Sequence, residues 1–368
     1  MARDGLITSV ACEVYEIPTD RPEADGTLAW SATTMVLVII RAGGSEGLGW
    51  TYAGAGCKAV VEDQLTGVLH GRDPMDIPGL WGGMVRACRN LGRPGLVSCA
   101  LSAVDIALWD LKARLLGVAL STLVGRCRDT VPVYGSGGFT TYDEATTCAQ
   151  LTHWVHELGI PRVKIKIGES WGGEERRDLA RVVLARDVVG AGVEVYVDAN
   201  GGYTRKQAVR VGRALRDAGV IWFEEPVSSD DLDGLREIRD RCDADVAAGE
   251  YGYDLAYFAR MVAAQAVDCL QVDVTRCGGV TEFLRASAVA AAHGLQISGH
   301  CAPNLHAHVA VGVPNLRHLE YFHDHARIED LLFDGALSPR GGALRPDPDR
   351  PGHGLSLRSS DAEQFRAA

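Results

Sequence analysis

From residue 131 onward, short apolar runs alternate with longer amphipathic stretches. The apolar runs end near Tyr134, Lys166, Asp198, Glu224, Gly249, Asp273, Ser298 and Glu320, at intervals of 22 to 32 residues. Stretches with helical periodicity fall between them, at 174–189, 204–218, 232–241 and 279–293. Eight repeats of strand then helix predict an α/β fold, a (β/α)8-type barrel over residues 126–336. Residues 1–125 follow another pattern. Three strand-like runs (7–17, 34–41 and 48–52) precede two helical ones (59–68 and 97–120), which predicts an N-terminal α+β capping domain. Residues 337–368 are rich in Pro, Gly and Arg and are expected to return to that domain as turns and short strands. No low-complexity linker separates the parts, so they should share a packed interface.

Composition narrows the function classes. Formal net charge is -11 over 368 residues, with neither a basic patch nor a basic tail, which argues against nucleic-acid or anionic-membrane partners. No apolar run approaches the ~20 residues needed to span a bilayer, and the first ten residues show no secretory signal. The ten cysteines are scattered singly without a CxxC pair, consistent with reduced thiols in a cytoplasmic protein. Cys301 follows His300 directly, and packing is the expected role for its sulfur.

Lysine usage points to chemistry. Only five of the 37 basic residues are lysine, and two of them stand two apart in Val163-Lys164-Ile165-Lys166-Ile167-Gly168. Period-two alternation puts both amines on one side of a strand. Arginine cannot surrender its proton in a protein, whereas a lysine can, and each cation disfavours charging of the other. The alternative is a strand with two solvated lysines and a buried face of Val163, Ile165 and Ile167.

Acids then close the following strands. Asp198 ends Val193-Glu194-Val195-Tyr196-Val197-Asp198. Glu224 ends Val220-Ile221-Trp222-Phe223-Glu224, and Glu250 follows Val246-Ala247-Ala248-Gly249. The three are 26 and 26 residues apart, one βα unit each. Strand C-termini of a barrel converge on one mouth, where three carboxylates would repel unless a cation joined them. Oxygen-only ligands favour a hard ion such as Mg²⁺. Any one of these acids alone would read as a helix N-cap; it is their register that suggests a site. Glu225 is expected to point the other way, as a structural ion-pair partner. Asp273 ends the next strand and His300 the one after, so the carboxylate can orient the imidazole. Glu320, on the last strand, completes the ring. His306 and His308 share no helix face and are poor co-ligands.

A divalent ion, an amine and an imidazole facing one cavity suit abstraction of a proton alpha to a carboxylate, with Lys166 on one face and His300 on the other. The extra charge of the enediolate intermediate would lie beside a fixed cation. With these residues in place, the chain resembles the enolase superfamily, mandelate racemase subgroup. The resemblance spans nearly its whole length. It implies one Mg²⁺ per subunit on Asp198, Glu224 and Glu250, and Lys166 as base, its pKa lowered by Lys164, which also contacts the substrate carboxylate. It implies His300 as the opposed acid/base, assisted by Asp273, and Glu320 as a protonated donor to that carboxylate. Asn200 is expected at the metal or substrate, and Arg276 just behind the site. Segments 20–27 and 50–53 are candidates to close the mouth, with Thr51 and Tyr52 among their polar contacts.

Dehydration of a sugar acid to a 2-keto-3-deoxy acid is the leading expectation, since acid-sugar dehydratases dominate the subgroup. A racemase or epimerase of a 2-hydroxy acid or related carboxylate is the alternative within enzymes. A non-catalytic, metal-stabilised ligand-binding barrel is the alternative outside them. The expected partners are a small-molecule carboxylate substrate and further copies of the chain in a homo-oligomer.

Overall fold

The computed structural model describes residues 5–367. Eight parallel strands close into a barrel: β4 (Val131–Gly137), β5 (Arg162–Lys166), β6 (Glu194–Asp198), β7 (Val220–Glu224), β8 (Asp245–Ala248), β9 (Cys269–Val272), β10 (Gln296–Gly299) and β11 (Leu316–Phe322), with β11 pairing back onto β4. The apolar runs form strands because both their faces are buried. Outward side chains such as Val163, Ile165, Val197, Phe223 and Val246 join the main core. Inward ones fill the lumen, where Tyr134, Tyr196, Trp222, Ala247 and Cys269 make a separate aromatic-rich layer. The Tyr196 and Trp222 rings stack at 5.4 Å. That layer plugs the barrel, so anything polar above it must collect at the mouth.

Before the barrel lies an antiparallel sheet of β1 (Ile7–Ala24), β2 (Ala29–Ala42) and β3 (Ser45–Tyr52), followed by helices. The run expected at 59–68 is a helical stretch from Gly56 to Leu69 that passes through a π turn at Val61–Leu65. A helix at Ile77–Ala87 is additional to the sequence expectation, because Pro78 and three glycines mask its periodicity. The long helix over Leu96–Leu115 stops five residues short of its expected end. It lies against β3 at backbone distance: a Cβ on Gly49 would sit 2.2 Å from the Ala103 carbonyl oxygen. From its other side Asp105 accepts hydrogen bonds from Thr281 N (2.9 Å) and Oγ1 (2.7 Å) on the barrel. The C-terminal residues run beside β1, with Glu16 N donating to Phe365 O and Ala367 N to Val14 O. Among the described residues, no helix is long and apolar enough to cross a membrane.

The expected closing segment at 20–27 is a hairpin rather than a loop. β1 continues to Ala24 and pairs Glu23 with Trp30, and the turn is tied by Asp25 Oδ1, which accepts from Thr27 N and Leu28 N. Its tip packs onto the barrel mouth by backbone contact. Thr140 N donates to Ala24 O and Trp171 N to Gly26 O, and a Cβ on Gly26 would lie 2.6 Å from Ile167 O. Glu23 is fully buried there, takes one hydrogen bond from Trp30 Nε1 (2.9 Å), and burial pushes its carboxyl up to about 8. Its folded pKa lies above the unfolded value, so its stabilising effect is complete below about pH 4.5 and is lost as pH rises through about 8. Denaturant titrations of Glu23→Gln should match the parent near pH 4.5 and show greater stability than the parent at pH 9; equal curves at pH 9 would refute the buried-acid reading.

Candidate active site

The barrel register brings the chemistry together. Lys166 pairs with Asp198 and Asp198 with Glu224 on adjacent strands, so their side chains enter the lumen at one height. Lys166 Nζ lies 2.5 Å from Asp198 Oδ2. Lys164 Nζ is 2.5 Å from Glu224 Oε1, 2.8 Å from Glu320 Oε1 and 3.6 Å from Asp198 Oδ2. The lysines are 1% and 5% exposed, which excludes the solvated-strand alternative. Across the mouth, His300 Nδ1 is 2.8 Å from Asp273 Oδ2. A carboxylate acceptor assigns the proton to Nδ1 and leaves Nε2 facing the cavity. Asp273 is held in turn by Thr275 N and Oγ1, both at 2.7 Å. His300 Nε2 is 3.2 Å from Glu250 Oε2, and Arg276 Nη1 is 3.2 Å from Glu250 Oε1.

Burial disfavours every one of these charges, and neighbouring charges decide the outcome. Burial and Lys164 both act to lower Lys166, but the Asp198 carboxylate outweighs them and holds its amine above the usual range. Lys164 is likewise held above the usual range against burial, by Glu224, Glu320 and Asp198. Lys164 thus acts on Lys166 in the expected direction, and Asp198, 2.5 Å away, outweighs it. Burial raises Glu320, yet Lys164 and His300 hold it well below the carboxylate range. Burial pushes Glu224 up to about 8 against the pull of Lys164. Asp273 is lowered to about 2, because its hydrogen bond to His300 and the His300 and Arg276 charges overcome burial. His300 is raised despite burial, by the Cys301 thiol, Glu250 and Asp273.

Of the site residues read from the sequence, Lys164, Lys166, Asp198, Asn200, Glu224, Glu250, Asp273, His300 and Glu320 converge. A cavity of about 300 Å³ opens onto Lys166, Asn200, Glu250, Arg276 and His300, roofed by Asp25, Trp30 and Tyr52. A neighbouring cavity of about 530 Å³ shares Asn200 but contains neither the lysines nor the imidazole. Thr51 does not line either cavity: it is fully buried and its hydroxyl donates to Thr275 O at 2.7 Å, because alternation along β3 turns it away from the mouth. Tyr52 reaches the cavity with its ring, stacked on His325 at 3.5 Å, while its hydroxyl donates to Glu329. Glu225 is not an ion-pair partner. It is buried, one carboxyl oxygen has no hydrogen bond, and burial followed by Glu250, Asp198 and Glu224 raises it well above its usual range. Its backbone is left-handed (φ 37°), which escapes a strict alternation rule, and it lines the neighbouring cavity of about 530 Å³. Ser136, which donates to Glu320 at 2.5 Å, and Trp222, which donates to Glu224 at 2.9 Å, were also missed. Both sit in the lumen register of their strands, which was the available signal.

Carboxylate oxygens of Asp198, Glu224 and Glu250 lie within 4.8 Å of one another. All three groups are buried, and Glu250 Oε2 has no aligned hydrogen bond. Around them stand Glu225, Asp273 and Glu320, against the cations Lys164, Lys166, His300 and Arg276. Burial disfavours the charge on Glu224 and Glu225, and a divalent ion with oxygen ligands would offset that cost by favouring the ionised form of the three converging carboxyls. Removing a buried counter-charge is costly: Lys164→Met should lower the unfolding free energy by about 3–5 kcal/mol in chelator-treated protein. Urea titrations read this directly, and a loss under about 1 kcal/mol would contradict the central place given to Lys164.

Known proteins share this fold and much of this sequence. L-talarate/galactarate dehydratase from Salmonella typhimurium LT2 is 32% identical over 85% of this chain and 78% of its own. Its crystal structure, liganded with Mg and L-lyxarohydroxamate, superposes with a TM-score of 0.92, covering 100% of this chain and 94% of that one. D-galactarolactone cycloisomerase from Agrobacterium fabrum is 30% identical over 98% of both chains. A mandelate racemase/muconate lactonizing enzyme-like protein from Rubrobacter xylanophilus is 50% identical, with a TM-score of 0.95 over 98% of this chain and 100% of that one. Residues 11–125 match the mandelate racemase / muconate lactonizing enzyme N-terminal domain and residues 146–362 the enolase C-terminal domain-like model, and the chain belongs to this family of the enolase superfamily.

Proposed function

We propose that the protein catalyses Mg²⁺-dependent abstraction of the proton alpha to a carboxylate, and that its reaction is dehydration of a sugar acid to a 2-keto-3-deoxy acid. The carrying observation is that Lys166 and His300 enter one cavity from different strands, with the Asp198, Glu224 and Glu250 carboxylates at the same mouth. Those three acids would hold one Mg²⁺ per subunit. Bound there, the ion supplies positive charge beside the substrate carboxylate and offsets the acid charge that otherwise keeps Lys166 protonated. Burial and the Lys164 cation then both favour a neutral Lys166 amine, poised as a base.

Lys166 takes the alpha proton, and the C–H electron pair forms the C=C bond. The beta C–O bond breaks as His300 delivers the proton on Nε2 to the departing hydroxyl, which leaves as water. The resulting enol tautomerises to the 2-keto acid. Asp273 keeps the His300 ring aimed by holding Nδ1. Lys164 and Glu320, paired at 2.8 Å, orient the substrate carboxylate, and Asn200 and the Tyr52 ring border it. Relatives named as an L-talarate/galactarate dehydratase and a D-galactarolactone cycloisomerase support the sugar-acid class. Racemisation is the second reading, favoured by proton-carrying groups on both sides of the cavity.

In D₂O with Mg²⁺, a panel of sugar acids should yield a semicarbazide-reactive product carrying solvent deuterium at C3, the carbon protonated when the enol becomes the 2-keto acid. Deuterium at C2 of the recovered acid without a keto product would shift the assignment to racemisation, and neither outcome from any acid would sink the enzymatic reading. Lys166→Ala should slow alpha-proton removal by about 10²–10⁴-fold while Mn²⁺ binding, read by electron paramagnetic resonance, persists. Loss of the metal in that variant would count against the base assignment.

A further inference from the structure

Cys301 lies outside the proposed reaction, yet its sulfur sits at the mouth of the cavity beside the imidazole. Sγ is 3.3 Å from His300 Nε2 and 3.5 Å from Glu320 Oε2, and that imidazole nitrogen and carboxylate oxygen are 3.7 Å apart. The three donors form a near-equilateral triangle. Tetrahedral Zn²⁺ with Zn–S of about 2.3 Å and Zn–N and Zn–O of about 2.0–2.2 Å requires ligand–ligand edges of about 3.3–3.6 Å. The triangle lies within about 0.3 Å of one face of such a tetrahedron, so small side-chain shifts would complete it, and the fourth position would face the cavity.

Other features set the donors. Asp273 holds His300 Nδ1 at 2.8 Å, the carboxylate–histidine arrangement that aims Nε2 at a metal. Ser136 and Lys164 hold Glu320 Oε1, while Oε2 accepts from Cys301 N at 3.0 Å and keeps a second lone pair toward the sulfur. Cys301 and Ala302 both adopt left-handed backbone (φ 53° and 37°), a costly pair of conformations for non-glycine residues, and these direct Sγ back over the imidazole. All three ligand residues are at least 96% buried. We propose that His300, Cys301 and Glu320 form a second metal site, for a borderline divalent ion of the Zn²⁺ class, distinct in its donor atoms from the all-oxygen Asp198/Glu224/Glu250 set. Mg²⁺ rejects sulfur and nitrogen donors, so the two sites sort ions by softness. The thiol proton passes to solvent as the ion binds. Occupancy takes the Nε2 lone pair of His300, so the ion inhibits; this consequence, unlike the binding itself, rests on the acid/base role given to His300 above.

The test uses the full-length, Mg²⁺-saturated protein. One equivalent of Co²⁺ should raise a thiolate-to-cobalt charge-transfer band in the near ultraviolet, Zn²⁺ should abolish it, and Cys301→Ser should lack it. No band in the parent protein overturns the site, whatever the variant does. In excess Mg²⁺, Zn²⁺ should suppress alpha-proton exchange, and Cys301→Ser should raise the half-inhibiting Zn²⁺ concentration at least tenfold. An unchanged concentration would assign the inhibition to the three-carboxylate set and overturn the proposal. A band without inhibition would establish the site and count instead against the catalytic role of His300.

Discussion

The structure depends on compensating a dense group of charges inside a low-dielectric barrel mouth. Lys164 is the hub: it is 1% exposed and contacts Asp198, Glu224 and Glu320, three acids from three strands. None of these groups could stay ionised alone at that depth. The cluster persists because the closed sheet delivers cations and anions at matching heights, and the aromatic layer of Tyr134, Tyr196 and Trp222 beneath keeps it from sinking into the barrel.

The same electrostatics link fold to chemistry. Without a divalent ion, the acids hold both lysines protonated and Lys164 holds Glu320 ionised. The base role proposed for Lys166 therefore requires the loaded cluster as well as the amine pair. Lys164 does act on Lys166 in the direction that charge repulsion requires, but Asp198, 2.5 Å away, dominates. Imidazole and thiol on the far side add donors of different softness to the same cavity, so one mouth presents two kinds of coordination chemistry.

The N-terminal sheet and the barrel meet through contacts that tolerate little variation. Gly49 lets the long helix lie on β3 at backbone distance, and Gly26 lets the β1–β2 hairpin touch the mouth. Asp105 and Thr51 bond across the junction to Thr281 and Thr275, on the stretch that follows Asp273. The cap thus braces the segment that carries Asp273, the partner of His300. Roof residues such as Trp30 and Tyr52 are positioned by this junction.

The eight-fold alternation, the strand ends and the acids in register were legible in the primary structure, because period-two alternation and unit length are local, repetitive signals. Nine site residues followed from them, since a parallel barrel turns equal spacing along the chain into equal height in space. What lay beyond reach were positions set by a neighbour or by an unusual dihedral. Thr51 was lost to a carbonyl on the barrel, Glu225 took a left-handed backbone beside the neighbouring cavity, and the helix at Ile77–Ala87 was hidden by its glycines. The protonation states and the aim of Cys301 were decided only by tertiary structure, because charge interactions and metal geometry depend on distances of a few ångströms between strands far apart in the chain.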